Sequence, residues 1–130
     1  MSLSVRVVDS ITELGPQDAG CVAISGSHGG LSSARYALAA RPLMSVFNDA
    51  GGGLDGAGLA ALEFLEHHGL AACVVAHTSA RIGEGHSTLT TGVINHLNAY
   101  AKALGVQASW TCQQTVDFLQ STQNDPKGSL

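Results

Sequence analysis

The chain has few charged residues: Asp, Glu, Lys and Arg make up 12% of its 130 residues, against about 25% in an average globular protein. The six Lys and Arg are scattered without a cluster, and the formal net charge is −4. A nucleic acid or an anionic membrane surface requires a basic face, so we expect neither as a partner. So little surface charge also predicts that another copy of the chain covers part of the surface, giving a homo-oligomer.

Long apolar runs are missing as well. No run approaches the roughly 18–20 apolar residues that cross a membrane. The N-terminal residues 1–6 lack the charged start and apolar stretch of a signal peptide. The three cysteines, Cys21, Cys73 and Cys112, are odd in number and widely spaced, which predicts buried thiols rather than a disulfide framework or a zinc site. Together these absences predict a cytoplasmic protein.

Several cofactor motifs are absent. The sequence contains no His-Glu-x-x-His or Cys-x-x-Cys spacing and no Walker lysine, and Gly26-Ser27-His28-Gly29 in the first loop lacks the Gly-x-Gly-x-x-Gly spacing. We therefore expect no organic cofactor and no metal. A divalent metal held by His28, Asp49 and His86 is a minor alternative, because only the fold could bring these three side chains together.

The apolar residues, 45% of the chain with Ala, Tyr, Trp and Cys included, are grouped in short runs that alternate with helical patterns. They predict strands at residues 5–9, 21–24, 43–47, 70–76 and 106–110, and helices at 32–41, 54–68, 89–104 and 111–120. This alternation predicts a Rossmann-like three-layer α/β/α sandwich with a mainly parallel sheet of four or five strands, whose order is left open. Residues 1–120 form this single domain, and residues 121–130 are expected to be a frayed tail.

The longest predicted helix, 89–104, is based on apolar residues that recur at three- and four-residue steps: Leu89, Val93, Leu97, Ala101 and Leu104. Gly92 lowers the intrinsic stability of such a helix, which predicts that another backbone packs closely there. This is a second argument for an oligomer. Asn95, His96 and Asn98 are assigned to the polar face of the helix.

Three glycine-rich polar segments follow the predicted strands at 21–24, 43–47 and 70–76. In a parallel sheet the carboxyl ends of the strands share one edge, so these loops are expected to form one crevice. In the first loop, Ser27 stands between small residues after a strand and before a helix, close to the pattern of a nucleophile elbow. Asp49 and His86 follow it in the order of a Ser–Asp–His triad.

Two other interpretations of the first loop remain open. The N–H groups of Gly26, Gly29 and Gly30, with the helix N-terminus that follows, predict a cradle for a phosphate or carboxylate. The loop is also compatible with an ordinary tight turn in which His28 is merely exposed.

The second and third loops add polar groups to the same crevice. Asn48 and Asp49 are candidate site residues, and Gly51 and Gly52 leave the backbone open to a ligand or a neighbouring chain. In the third loop, Arg81 suits the capture of an anion, Ser79 supplies a hydroxyl donor, and Glu84 and His86 form an acid–base pair. A solvated loop with a surface Arg81–Glu84 ion pair is the alternative. His77 is interpreted as a hydrogen-bonded residue at a strand end.

These predictions favour a small enzyme of hydrolase or isomerase type that acts on a small anionic metabolite. Arg81 and the first-loop amides would hold the anion, and His28 or His86 would move a proton. Asp49 would orient a histidine or act as a base. The alternative function is a non-catalytic small-anion-binding or assembly domain that uses the same crevice.

Overall fold

The computed structural model describes residues 3–52 and 54–124. Five strands form one sheet in the order β1-β2-β3-β4-β5, which is also their order in the chain. The first four strands are parallel, and β5 is antiparallel to β4. The strands are β1 (Val5–Val8), β2 (Val22–His28), β3 (Met44–Asn48), β4 (Ala71–Val75) and β5 (Ile94–Leu97).

Helices cover both faces of this sheet, and the predicted α/β sandwich is confirmed. The α-helices are α1 (Leu31–Ala40), α2 (Ala60–His67), α3 (Gly85–Thr91), α4 (Ala99–Ala103) and α5 (Cys112–Asn124). Short 3₁₀ segments lie at Ile11–Glu13, Pro16–Asp18, Ala50–Gly52 and Leu54–Leu59. The first of them begins with a capping box, in which Ser10 is the N-cap and Glu13 bonds back to its N–H.

Two separate cores result from the alternation of side chains along the strands. On one face, Phe47 and Val74 pack with Ala37 of α1 and Leu65 of α2. On the other face the strands pack with α4 and α5, and the buried residues are Val22, Ile24, Met44, Val46, Cys73, Val75, Ala101, Val116 and Leu119, among others. Both faces of the central strands are therefore buried, as expected of parallel strands.

The predicted long helix at 89–104 is wrong. This stretch contains the end of α3, for which Gly92 is the C-cap, then strand β5, and then α4, for which the Asn98 side chain is the N-cap. The three- and four-residue spacing arose because Leu89, Leu97 and Leu104 pack against one core from three different elements. Gly92 has no need of a second chain, because a Cβ there would meet the Thr88 carbonyl and the Val75 side chain.

The predicted strand at 106–110 is also wrong. This segment runs beside β5 but does not pair with it as a regular strand. An isolated bridge joins Val93 and Thr111. The Ile94 N–H donates to the Trp110 carbonyl, and the Ser109 N–H donates to the Ile94 carbonyl. Ser109 has a left-handed backbone conformation with φ of 78°, which regular strands do not contain. Trp110 covers this edge and packs edge-on against Phe118, with ring centroids 5.1 Å apart.

Other predicted boundaries shift by a few residues. Strand β2 continues four residues beyond the predicted end, to His28, because the buried Ser25 hydroxyl donates to the Val46 carbonyl. The α-helical part of the predicted helix 54–68 begins only at Ala60. Helix α5 extends to Asn124, so residues 121–124 of the predicted tail are helical, and residues 125–130 lie outside the described residues.

The three cysteines are free and buried, as predicted. Burial raises the pKa of the Cys21 thiol to about 11 and that of Cys112 to about 12. Burial also raises the pKa of Cys73 well above its ordinary value. The thiols therefore remain protonated at neutral pH and act as apolar core groups.

Candidate functional site

The carboxyl ends of three neighbouring strands meet at one edge of the sheet. His28 of β2 is paired with Asn48 of β3, and Asn48 is paired with Val75 of β4. All three strands are parallel, so the segments that follow them share this edge. The prediction that the three loops lie at one edge is confirmed, and the polar groups of the chain's candidate site lie there.

The third loop and α3 form a long excursion, residues 76–93, which we call the return segment. It leaves β4 and comes back beside it, where the Ala76 N–H donates to the Val93 carbonyl at 2.9 Å. The Ser79 hydroxyl joins the two ends, because it donates to the Ala76 carbonyl at 2.6 Å and accepts from the Val93 N–H at 2.9 Å. The single proton of Ser79 is therefore used within the fold rather than offered to a ligand.

The return segment is pressed against the edge of the sheet. The buried Asn48 amide donates to the Ala80 carbonyl at 3.1 Å, and the Gly83 N–H donates to the Gly26 carbonyl at 2.7 Å. Further along, the Gly85 N–H at the start of α3 donates to the Asp9 carboxylate at 3.0 Å. These bonds anchor the segment to β3, to β2 and to the end of β1.

The residues of the predicted anion cradle mostly bond within the fold. The Gly26 N–H donates to the Asp9 carbonyl at 3.2 Å, and the Gly29 N–H donates to the Asn48 carbonyl at 2.8 Å. Gly30 is the N-cap residue of α1, and the His28 ring lies over it. Two of the three amides predicted to hold an anion therefore already have partners.

The predicted triad is not assembled around Ser27. The Ser27 hydroxyl oxygen accepts from the Ile11 N–H at 2.9 Å. His86 is exposed on the first turn of α3, and its carbonyl accepts from Thr90. The Asp49 carboxylate contacts a different histidine, His77. Among residues 3–52 and 54–124, no group of three or more His, Cys, Asp or Glu side chains converges as a metal site would, so His28, Asp49 and His86 do not form one.

The Asp49 side chain accepts four hydrogen bonds at this edge. One carboxylate oxygen, Oδ1, accepts from the Gly51 N–H at 2.8 Å, the His77 N–H at 2.9 Å and the His77 ring Nδ1 at 3.2 Å. The other oxygen, Oδ2, accepts from the Asn95 side-chain amide at 2.7 Å. Asp49 follows β3, His77 follows β4 and Asn95 lies on β5, so this carboxylate joins the ends of three elements.

These contacts decide the charge of Asp49. Burial would raise its pKa, but hydrogen bonds from the Gly51 N–H, the Asn95 amide and the His77 N–H and ring lower the pKa below the ordinary 3.8. Hydrogen bonds donated to a carboxylate favour its ionised form. Asp49 is therefore ionised at neutral pH and acts as an acceptor only.

The lowered pKa predicts how stability depends on pH. The contribution of Asp49 is fully present above the unfolded-state pKa and is lost as the pH falls through the lower folded-state pKa. We expect Asp49→Asn to destabilise the protein by about 1–3 kcal/mol near neutral pH, with a difference that shrinks below about pH 4. Urea unfolding from pH 7 to pH 2.5 measures this, with the exposed Asp117→Asn as the control. A difference that does not change with pH would contradict the assignment.

His77 is held firmly on one side and open on the other. Its side chain is 55% exposed although its Nδ1 contacts the buried Asp49. Among the described residues, its second ring nitrogen, Nε2, has no hydrogen-bond partner. Gly51 lies against the ring, since a Cβ there would be 3.6–3.7 Å from three ring atoms, and its φ of 73° requires the freedom of glycine.

The His77 side chain lines an open depression of about 850 Å³ beside the return segment. The other lining residues are Asn48, Ala50, Thr78, Ser79, Ala80, Arg81, Ile82, Glu84, Ser87 and Thr91. The Arg81 and Glu84 side chains are 81% and 55% exposed, and their charged atoms are 4.0 Å apart. Such an exposed pair contributes little stability, so the Arg81 guanidinium remains available to a ligand. Gly52 is not among the lining residues, and its N–H donates to the backbone carbonyl of Asp49 at 2.7 Å.

Two members of this arrangement are not predicted from the sequence. His77 is hydrogen-bonded at a strand end, as predicted, but no sequence pattern identifies Asp49 as its partner. Asn95 lies on strand β5 and not on the polar face of the predicted helix, so that assignment is wrong. Two signals in the sequence indicate a strand at this position. Gly92 and the β-branched residues Val93 and Ile94 interrupt a helix. Asn98 can cap a new helix that begins after it.

Comparison with models of protein families, with curated proteins and with solved structures gave no significant match. Within the described parts of the chain, no helix is long and apolar enough to cross a membrane. The case for a function therefore depends on the geometry at the carboxyl edge of the sheet.

Proposed function

We propose that the protein is a small enzyme of hydrolase or isomerase type, which binds a small anionic metabolite in the depression and uses His77 to move a proton. The observation that supports this most strongly is the contact between Asp49 and His77. A buried carboxylate with four hydrogen bonds holds an imidazole that is half exposed at the wall of an 850 Å³ depression. His77 takes the role that the sequence suggested for His28 or His86, and Asp49 orients a histidine.

The chemistry follows from the charge of Asp49. Because an ionised carboxylate only accepts hydrogen bonds, the proton of the neutral His77 ring lies on Nδ1. This leaves the lone pair on Nε2, which is suited to accept a proton from a substrate or a water molecule. The imidazolium that forms is stabilised by the adjacent carboxylate and returns the proton in a later step. Hydrolysis and isomerisation both require such a transfer and no redox group.

The anionic character of the substrate is inferred from Arg81. It is the only cation that lines the depression in the described parts of the chain, and its weak contact with Glu84 leaves it able to turn towards a ligand. A guanidinium binds phosphates and carboxylates through two parallel hydrogen bonds. The apolar surface of Ala80 and Ile82 lines the depression beside it.

We expect Arg81→Ala to weaken the binding of inorganic phosphate or succinate by about fivefold at low salt, roughly 1 kcal/mol for an exposed charge. The effect should largely disappear at high ionic strength, because an 81% exposed guanidinium is screened. Chemical-shift titrations measure both effects, with the exposed Arg35→Ala of α1 as the matched control. Shifts that map away from residues 77–82, or equal affinities for the two variants, would remove Arg81 from the site.

The alternative, a non-catalytic small-anion-binding or assembly domain, is favoured by a specific observation. Several polar groups at the edge bond within the fold, including the Ser79 hydroxyl and the Asn48 amide, and Asp49 itself ties three elements together. A binding domain would retain anion affinity after loss of the His77 ring and would convert no ligand. Self-association of the chain stays a prediction from its low charge.

A further inference from the structure

Asn95 makes the shortest of the four hydrogen bonds to the Asp49 carboxylate, at 2.7 Å. The other three bonds, from the Gly51 N–H and from the backbone and ring of His77, all reach Oδ1. Among the described residues, Asn95 is therefore the one group that holds Oδ2. A carboxylate held through both oxygens cannot rotate about its terminal bond, so Asn95 fixes the direction in which Oδ1 faces the His77 ring.

The orientation of the Asn95 amide is set by the charge of Asp49. An ionised carboxylate needs a donor, so the NH₂ group of Asn95 must face Oδ2 and its carbonyl oxygen must point the other way. That oxygen is buried and has no hydrogen-bond partner among the residues that the structure describes. An unpaired buried acceptor is unfavourable, and such groups are rare outside functional sites. The amide is held in this orientation by its bond to Asp49.

We propose that Asn95 is a positioning residue for the Asp49–His77 pair: through Oδ2 it keeps Oδ1 directed at the Nδ1–H of His77 and so keeps the Nε2 lone pair open. The ring bond is the longest of the four, at 3.2 Å, and is therefore the one most easily lost when the carboxylate turns. Without Asn95, the His77 proton is free to move to Nε2, which removes the lone pair that a substrate needs. The consequence for turnover rests on the proposed function, but the consequence for the ring proton does not.

The test is the tautomer of the neutral His77 ring, read from the ¹⁵N chemical shifts of its two ring nitrogens. In the unmodified protein we expect mainly the Nδ1–H form. Asn95→Leu keeps the approximate side-chain shape and removes the donor, and Asn95→Ala removes it with a smaller side chain, which guards against loss of the fold in the first variant. Both should shift the ring towards the Nε2–H form. His96→Ala, at the next position of β5, is the control and should leave the tautomer unchanged.

The outcomes separate this inference from the proposed function. A merely structural Asn95 would lower the unfolding temperature of both variants without moving the His77 tautomer, and that result would overturn the proposal. A shifted tautomer with a roughly 10- to 100-fold loss of kcat and little change in KM would support both proposals, since mutation of groups that support a catalytic residue has effects of this size. A shifted tautomer in a protein that converts no substrate would support the positioning role and count against the enzyme.

Discussion

Replacing His77 with glutamine is expected to lower kcat by roughly 10²- to 10⁴-fold, the usual contribution of a general acid–base group. KM should change little, because glutamine fills similar space and the Arg81 guanidinium, which we propose holds the anion, is unchanged. The fold should remain, since the backbone N–H of residue 77 continues to donate to Asp49. Steady-state rates of product formation measure the effect.

The matched control is His67→Gln. His67 is an exposed histidine in the last turn of α2 and does not line the depression. It tests whether any surface imidazole contributes to the observed rate. If the His67 and His77 variants retained the same rate, the proton transfer would have to be assigned to another group.

The second large effect is expected at Gly26, where Gly26→Ala should lower the free energy of unfolding by about 3 kcal/mol or more, at the upper end for overpacking. A Cβ at Gly26 would overlap the Glu84 nitrogen and lie 2.5 Å from the Gly83 carbonyl carbon and 2.9 Å from the Asp9 carbonyl oxygen. These are backbone atoms of the return segment and of Asp9, the residue after β1, so no side-chain rotation relieves the contact.

Thermal unfolding measures this effect, with Gly15→Ala as the control. A Cβ at Gly15 would meet only the end of the flexible Gln17 side chain, and the residue is in an extended conformation that alanine adopts readily. We expect Gly26→Ala to lower Tm by roughly 10 °C relative to the control. Equal Tm values would show that the return segment does not pack on β2 as described.

Apart from residues 25–28, the first three-fifths of the chain follow local rules, and sequence patterns predict these residues well. The apolar runs that become β3 and β4 and the capping box at Ser10 and Glu13 all have short-range signals. The shared carboxyl edge then follows from parallel pairing alone. Asp49 could be singled out because it follows a strand directly within a glycine-rich loop.

The remaining part depends on contacts between distant segments. Residues 25–28 are polar and small, which is typical of a loop, yet they continue β2 because Ser25 has a buried carbonyl partner and Gly26 lies beneath the return segment. Residues 89–104 have helical spacing but are divided among three elements, α3, β5 and α4. Since Asn95 reaches Asp49 only through the antiparallel strand β5, 46 residues further along the chain, no local pattern predicts their contact.

A proton NMR measurement in ²H₂O tests directly whether His77 moves a proton to or from a bound anion. The protein and its His77→Gln variant are incubated in parallel with a panel of small phosphorylated and carboxylated metabolites. Both hydrolysis and isomerisation are visible, the first as consumption of a compound and the second as new signals or deuterium in place of a substrate proton. We predict that the unmodified protein converts or exchanges at least one of these anions and that the variant does not. Anions that bind in the depression but remain unchanged, or conversion at equal rates by both proteins, would show that His77 does not carry out this transfer.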